Sequence, residues 1–276
     1  MNQQERDISK LCIHTITTKP WSIEEAAKHF SAAGVKGITV WRDALDERNI
    51  RATGNMLREH DLTIVSLCRG GFFAHKDLSK RKAAIDDNKK AIDEAAQLGT
   101  SMIVLVSGAD STQSLEDSRK QIHEGIAAIL PHATAANVKL AIEPLHPMYA
   151  DARSAINTLA QANDMAESFS SAHVGVAIDV YHVWWDPNLQ QHIQRCGNNH
   201  NLFAFHICDW KTPTTDMLLD RGLMGEGCIP IKQIRQWVEA TGFNGFNEVE
   251  IFSNNYWKED QNVFLKKIIE AYKTYT

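Results

Sequence analysis

Residues 174–187 read VGVAIDVYHVWWDP. The run from Val174 to Ile178 is apolar without interruption, the pattern of a strand covered on both faces in a parallel sheet. Asp179 then ends it, His182 follows three residues later, and Pro187 closes the stretch. A lone buried carboxylate costs several kcal/mol unless something pairs with it. Alternate residues of a barrel strand face the interior, so Ala177 and Asp179 share a side. Two other stretches repeat the design. In KLAIEPLH, Ala141 stands two before Glu143 and His146 three after it; in FAFHICD, Ala204 stands two before His206 and Asp209 three after it. A small inward residue, then a metal-ligand type at the strand end, then a second polar group is the layout of a barrel mouth. Pro144 and Pro187 mark the end of regular pairing, since proline cannot donate to a ladder.

Working outward, eight short apolar stretches qualify as strands: KLCIHTIT, GITVW, LTIVSLC, SMIVLVSG, VKLAIEP, VGVAIDVY, LFAFHICD and FNEVEIF. Amphipathic segments lie between them. SIEEAAKHFSAAG begins with a Ser22–Glu25 capping box and stops at Gly34; DDNKKAIDEAAQLG stops at Gly99 and IPIKQIRQWVEATG at Gly242. LEDSRKQIHEGIAAIL, SAINTLAQANDMAESF and QNVFLKKIIEAY carry apolar residues at helical spacing. Serial βα units leave two solutions, a closed barrel or an open doubly wound sheet. The first strand has no GxGxxG after it, which speaks against a dinucleotide fold. The expectation is a single (β/α)8 TIM barrel over residues 1–276. The longest irregular segment, residues 209–230, is expected to serve function.

The 276 residues carry a net charge of −5, which argues against nucleic-acid and anionic-membrane partners. The five cysteines are dispersed without a CxxC pair and read as reduced thiols of a cytoplasmic protein. The polar N-terminus is no signal peptide, and no apolar run is long enough to span a bilayer.

The eighth strand offers Glu248 and Glu250 on one face. Three carboxylates and an imidazole at one barrel mouth would repel one another unless a divalent cation holds them. The oxygen-rich set suits Mn²⁺ or Mg²⁺ and tolerates Co²⁺ or Zn²⁺. The competing reading pairs each strand-end acid with a lysine. Trp41, Arg69, Arg221 and Lys211 are placed to meet substrate oxygens or a sugar ring; Trp184 and Trp185 read as packing, and His14 and His75 as structural or surface residues.

These residues resemble the xylose-isomerase-like TIM-barrel superfamily over nearly the whole chain, most strongly in LAIEPLHP, AIDVYHVWWDP, FHICDW, LLDRGLMGEGCIPI and NEVEIFS, with CRGGFF after the third strand. This group contains sugar-phosphate isomerases and epimerases, ketose 3-epimerases, inosose-processing enzymes and 3-keto-glycoside-cleaving relatives. The resemblance implies one divalent ion, commonly Mn²⁺, on Glu143, Asp179, His206 and Glu250, with Glu250 favoured over Glu248. It implies Glu143 and Glu250 as the acid/base pair of an isomerase or epimerase working through a cis-enediolate of a ketose or keto-polyol. His182, Arg221, Trp41, Arg69 and Asp209 are the expected substrate contacts. His146 departs from the ketose 3-epimerase pattern and would suit a lyase acting on 3-keto glycosides, C-glycosides included, as base or acid. The resemblance further implies a homo-oligomer, dimer or tetramer, or a paired subunit if the chain cleaves glycosides. An endonuclease IV-like repair enzyme would need more ligating histidines and a basic face. A barrel that binds sugar without catalysis is the remaining alternative.

Overall fold

The computed structural model describes residues 7–276; residues 1–6, the start of the polar N-terminal segment, lie outside the described residues. In chain order the elements are β1 (Leu11–His14), α1 (Ile23–Ala32), β2 (Gly37–Trp41), α2 (Ile50–Glu59), β3 (Thr63–Gly71), α3 (Leu78–Leu98), β4 (Met102–Val106), α4 (Leu115–Ala135), β5 (Lys139–Glu143) and α5 (Leu159–Ser168). There follow β6 (Val174–Asp179), α6 (Val180–Val183), α7 (Leu189–Asn198), β7 (Leu202–Ile207), β8 (Asp209–Trp210), β9 (Arg221–Gly222), α8 (Ile231–Ala240), β10 (Asn247–Val249) and α9 (Gln261–Tyr275). Strands β1 to β7 and β10 close into a parallel barrel in the order β1-β10-β7-β6-β5-β4-β3-β2. This is the (β/α)8 TIM barrel expected from the eight apolar stretches.

Alternation along the strands separates two cores. Ala141, Ala177 and Ala204 cluster inside the barrel with Cys68, Met102 and Val104. Their neighbours Ile142, Ile178 and Phe205 belong instead to the large outer core beneath the helices. The small inward alanines leave room above them, and the residue two further on in each strand rises to the mouth. Register brings these ends level: Asp179 pairs with His206, Glu248 with His206, and Val106 with Glu143.

Helices begin where the caps say they should. Ser22 and Glu25 form the capping box of α1, and Gly99 closes α3 in the left-handed region at φ 89°. Some boundaries differ from the sequence reading. Helix α3 starts eight residues earlier, on the Asp77 cap, and α4 runs on to Ala135 with Pro131 inside it. Helix α5 starts only after the Thr158 cap, because Ser154 and Asn157 bond local backbone instead. Helices α2 and α7 escaped the reading: both are short and polar, with Thr53, Gly54 and Leu57 the buried residues of one and Leu189, Ile193, Cys196 and Gly197 those of the other.

Residues 209–230 are not structureless: β8 pairs antiparallel with β9, and residues 211–220 form the loop between them. All five cysteines are free, and Cys228 is the exposed one. No helix among the described residues is long and apolar enough to cross a membrane.

Candidate metal centre

At the C-terminal mouth of the barrel, one ligand atom from each of Glu143, Asp179, His206 and Glu250 lies within 4.8 Å of the others, and all four residues are buried. These are the four positions singled out from strands β5, β6 and β7 and from just past β10. Their mutual distances suit one small cation. His206 Nε2 is buried without a hydrogen-bond partner, as are His182 Nδ1 and Arg221 Nε. Orphaned buried polar atoms call for a ligand or an ion, so the residues present fit a divalent metal.

The immediate surroundings hold the quartet in place. Glu143 Oε1 lies 3.0 Å from His206 Nδ1. Asp179 accepts the Tyr181 N–H at 2.9 Å, which caps α6 and fixes the carboxylate at the strand end. Arg221 Nη1 donates to Asp179 Oδ2 at 2.9 Å and to Glu250 Oε2 at 2.8 Å, and Nη2 donates to His182 Nε2 at 3.2 Å. The guanidinium sits over the Tyr181 ring, 4.4 Å from its centroid. Arg221 thus lies among the acids themselves.

His14, read from sequence as structural or surface, is not at the surface: it is fully buried beside the quartet. Its Nε2 lies 3.2 Å from Glu248 and its Nδ1 3.1 Å from Glu250 Oε1. Burial opposes the charged ring, but the two carboxylates outweigh it and raise the pKa to about 9. Trp41 Nε1 also lies 3.3 Å from the same Nδ1. The sequence signal for His14 was available: it ends β1 as His206 nearly ends β7.

Glu248 is turned to other partners. Thr39 Oγ1 donates to its Oε2 at 2.5 Å, with Ser66 Oγ 3.5 Å away. It groups with His14 and His206 but not with the quartet.

The site is electrostatically tight. Burial pushes the Asp179 carboxyl up to about 7, against the pull of Arg221. Burial likewise disfavours charge on His206, but Glu248 and Glu143 raise it to about 10. Burial and the neighbouring Arg221 hold His182 well below the usual imidazole range. Burial alone would raise Glu250, yet Arg221 and His14 keep it well below the usual carboxylate range.

The central cavity is lined by Trp41, Glu143, Arg153, His182, Arg221 and Glu250, among others, and encloses about 20 Å³, room for roughly one ion or water. Three of the expected substrate contacts, Trp41, His182 and Arg221, are therefore at the cavity. The other two are elsewhere. Asp209 is buried and accepts the N–H groups of Trp210 (2.8 Å), Gly225 (2.9 Å) and Ile229 (3.0 Å), so both its oxygens organise the 209–230 segment. Arg69 lines a neighbouring groove rather than the cavity.

His146 also departs from expectation. It does not line the cavity: its Nδ1 accepts the Met148 N–H at 3.2 Å, and its ring packs 5.1 Å from Trp210 and 5.7 Å from Trp185. The two prolines around it, Pro144 and Pro147, turn the chain into a helical turn that carries the side chain away. Lys211 pairs with Asp220 at 3.2 Å. Trp184 packs on Trp210 with ring centroids 5.8 Å apart, and Trp185 donates to the His182 carbonyl at 2.9 Å.

Comparison with known proteins places this geometry among relatives. Residues 23–268 match the family described as xylose isomerase-like TIM barrel. An inosose isomerase from Bacillus velezensis is 24% identical over 260 residues, 90% of either chain. A crystal structure of a Sinorhizobium meliloti protein is 46% identical, with a TM-score of 0.94 over 98% of this chain and 99% of that one. An IOLI protein solved with a bound zinc atom is 20% identical, with a TM-score of 0.83 over 97% of this chain and 99% of that one.

Proposed function

The chain belongs to the xylose isomerase-like TIM-barrel family, and from that premise we propose that it is a divalent-metal-dependent isomerase or epimerase of a ketose or keto-polyol. The observation that carries the reading is the buried quartet of Glu143, Asp179, His206 and Glu250 with ligand atoms within 4.8 Å. The named relatives support it, one an inosose isomerase and one a zinc-bound protein of the same fold. The oxygen-rich donor set suits Mn²⁺. When bound, the ion supplies Lewis-acid polarisation of the substrate carbonyl and charge stabilisation as the α-carbon loses its proton.

The residues do the rest. Glu143 and Glu250 both line the cavity and are the carboxylates we assign to moving the proton next to the carbonyl. One removes the proton and the other returns it, on the opposite face for an epimerase or to the neighbouring carbon for an isomerase. His14 and Arg221 hold Glu250 by its two oxygens, and His206 holds Glu143. Tyr149 and Tyr181 both donate through their hydroxyls to the Met217 carbonyl, which ties the 211–220 loop to the cavity that Leu218 lines. The lyase alternative assigns its proton transfer to His146, whose ring is packed among tryptophans outside the cavity; the geometry favours the glutamate pair.

The test is exchange. The Mn²⁺-loaded protein is incubated with a panel of ketoses and inososes in D₂O, and deuterium is read at the carbon next to the carbonyl. Incorporation is expected, and Glu143→Gln and Glu250→Gln should each slow it by roughly 10²-fold or more. A panel without exchange at full metal loading removes the reading.

A further inference from the structure

Beside the cavity, two guanidiniums lie on the rings of one aromatic cluster. Arg69 stacks on Phe72, its central carbon 4.2 Å from the ring centroid, and Arg153 lies 5.6 Å from that of Tyr149. Phe72 and Tyr149 pack together with Val106, Leu145 and Met148. The backbone fixes this meeting. Phe72 N donates to the Val106 carbonyl at 2.8 Å, and Gly108 N donates to the Arg153 carbonyl at 2.9 Å. Gly71, at φ 108°, passes so close that a Cβ there would meet Val106 O at 1.9 Å, and Asn88 holds its N–H and carbonyl at 2.6 and 2.8 Å.

Neither arginine has a hydrogen bond or ion pair from its side chain among the described residues. Of the acids nearby, Asp87 and Glu94 both receive Arg42, at 2.8 and 2.7 Å, and Asp43 acts on Arg69 without forming an ion pair with it. Arg69 is partly buried, and after burial the charge of Arg153 is what most disfavours its own. Two like charges that act on each other, neither held in an ion pair, make an anion site. Arg153 lines the central cavity with Glu143 and Glu250. Arg69 lines a groove of about 340 Å³ that also presents His75 and Lys80.

We propose that Arg69 and Arg153 bind an anionic group, a phosphate or a carboxylate, carried on the keto-sugar substrate away from its reacting carbon. The proposal deepens the isomerase reading and rests on it for the identity of the substrate. The three carboxylates around the proposed ion would repel an anionic tail, and the two arginines provide a place for it beside the cavity. The planar guanidinium matches either oxyanion with paired donors.

Binding is measured by calorimetry on the full chain, with and without Mn²⁺, using inorganic phosphate and malonate as separate probes. One saturable site is expected in the metal-free protein, weakening as salt rises. Phosphate binding better than malonate identifies a phosphorylated substrate, and the reverse a carboxylated one. Arg69→Gln and Arg153→Gln should each weaken binding by roughly tenfold, about one charge-assisted hydrogen bond, with Arg153→Lys recovering part of it. Arg235→Gln, on the outer face of α8 where Arg235 pairs with Glu239, should change nothing. No saturable binding of either probe, or binding indifferent to both substitutions in folded protein, overturns the proposal. Anion binding without deuterium exchange in any sugar leaves the site standing and removes the isomerase reading; exchange of neutral ketoses without anion binding does the reverse.

Discussion

As ligands of the proposed cation, Asp179 and His206 would each have to give up a proton first. Asp179 is raised to about 7 by burial, and His206 to about 10 by its carboxylate neighbours. The sign follows directly. Protons compete with the metal, so affinity is expected to rise with pH and binding to release protons, more at pH 6 than at pH 8. Calorimetry in buffers of different ionisation enthalpy reads that count; a pH-independent release of zero would remove the two residues from the ligand set. Sequence reasoning reached Glu143, Asp179 and His206 because each sits at or near a strand end two residues after an inward alanine, and it chose Glu250 over Glu248 on the family resemblance. It passed over His14 although β1 carries the same spacing, with the small Cys12 two before it. His146 misled in the opposite sense. Its spacing from Glu143 matches that of His182 from Asp179, but spacing past the strand end no longer fixes direction.

At the scale of elements, the segment between β7 and α8 is the one whose behaviour spacing could not foretell. Asp209 looked like a site residue because it follows His206 by three. It serves instead as a three-way acceptor that folds β8, the Gly225 turn and the entry to α8 onto one carboxylate. Gly227 allows the close approach, since a Cβ there would meet the Trp210 carbonyl at 2.0 Å. Asp209→Ala leaves three N–H groups without their acceptor and is expected to lower stability by about 3 kcal/mol or more, read by urea denaturation. A variant of unchanged stability but weakened sugar binding would return Asp209 to the substrate contacts.

For the whole molecule, the parallel barrel delivers groups from distant parts of the chain to a mouth that is crowded with charge. Glu143, Asp179 and Glu250 are held together by Arg221, His14 and His206, an arrangement whose members each carry a desolvation cost. A cation that binds only the folded quartet should therefore stabilise the protein. At a concentration 100 times its dissociation constant the gain is about 2.7 kcal/mol, a rise of several degrees in Tm that EDTA reverses. Thermal unfolding with Mn²⁺ and with Zn²⁺ makes the comparison, and a Tm indifferent to both would count against a metal centre here.

The barrel itself was legible in the chain, because burial on both faces of a parallel strand leaves long apolar stretches that no surface element shows. The inward alanines at 141, 177 and 204 were legible for the same reason, since period two in a strand assigns each residue a side. What only the tertiary structure decided lies beyond the strand ends. Whether a side chain there turns into the cavity, as His182 does, or into a tryptophan cluster, as His146 does, depends on loops whose course is set by contacts far away in sequence. The meeting of Arg69 with Arg153, and of His14 with Glu250, belongs to that same class: strand periodicity fixes a residue's side within its own strand, and closure of the barrel fixes its neighbours.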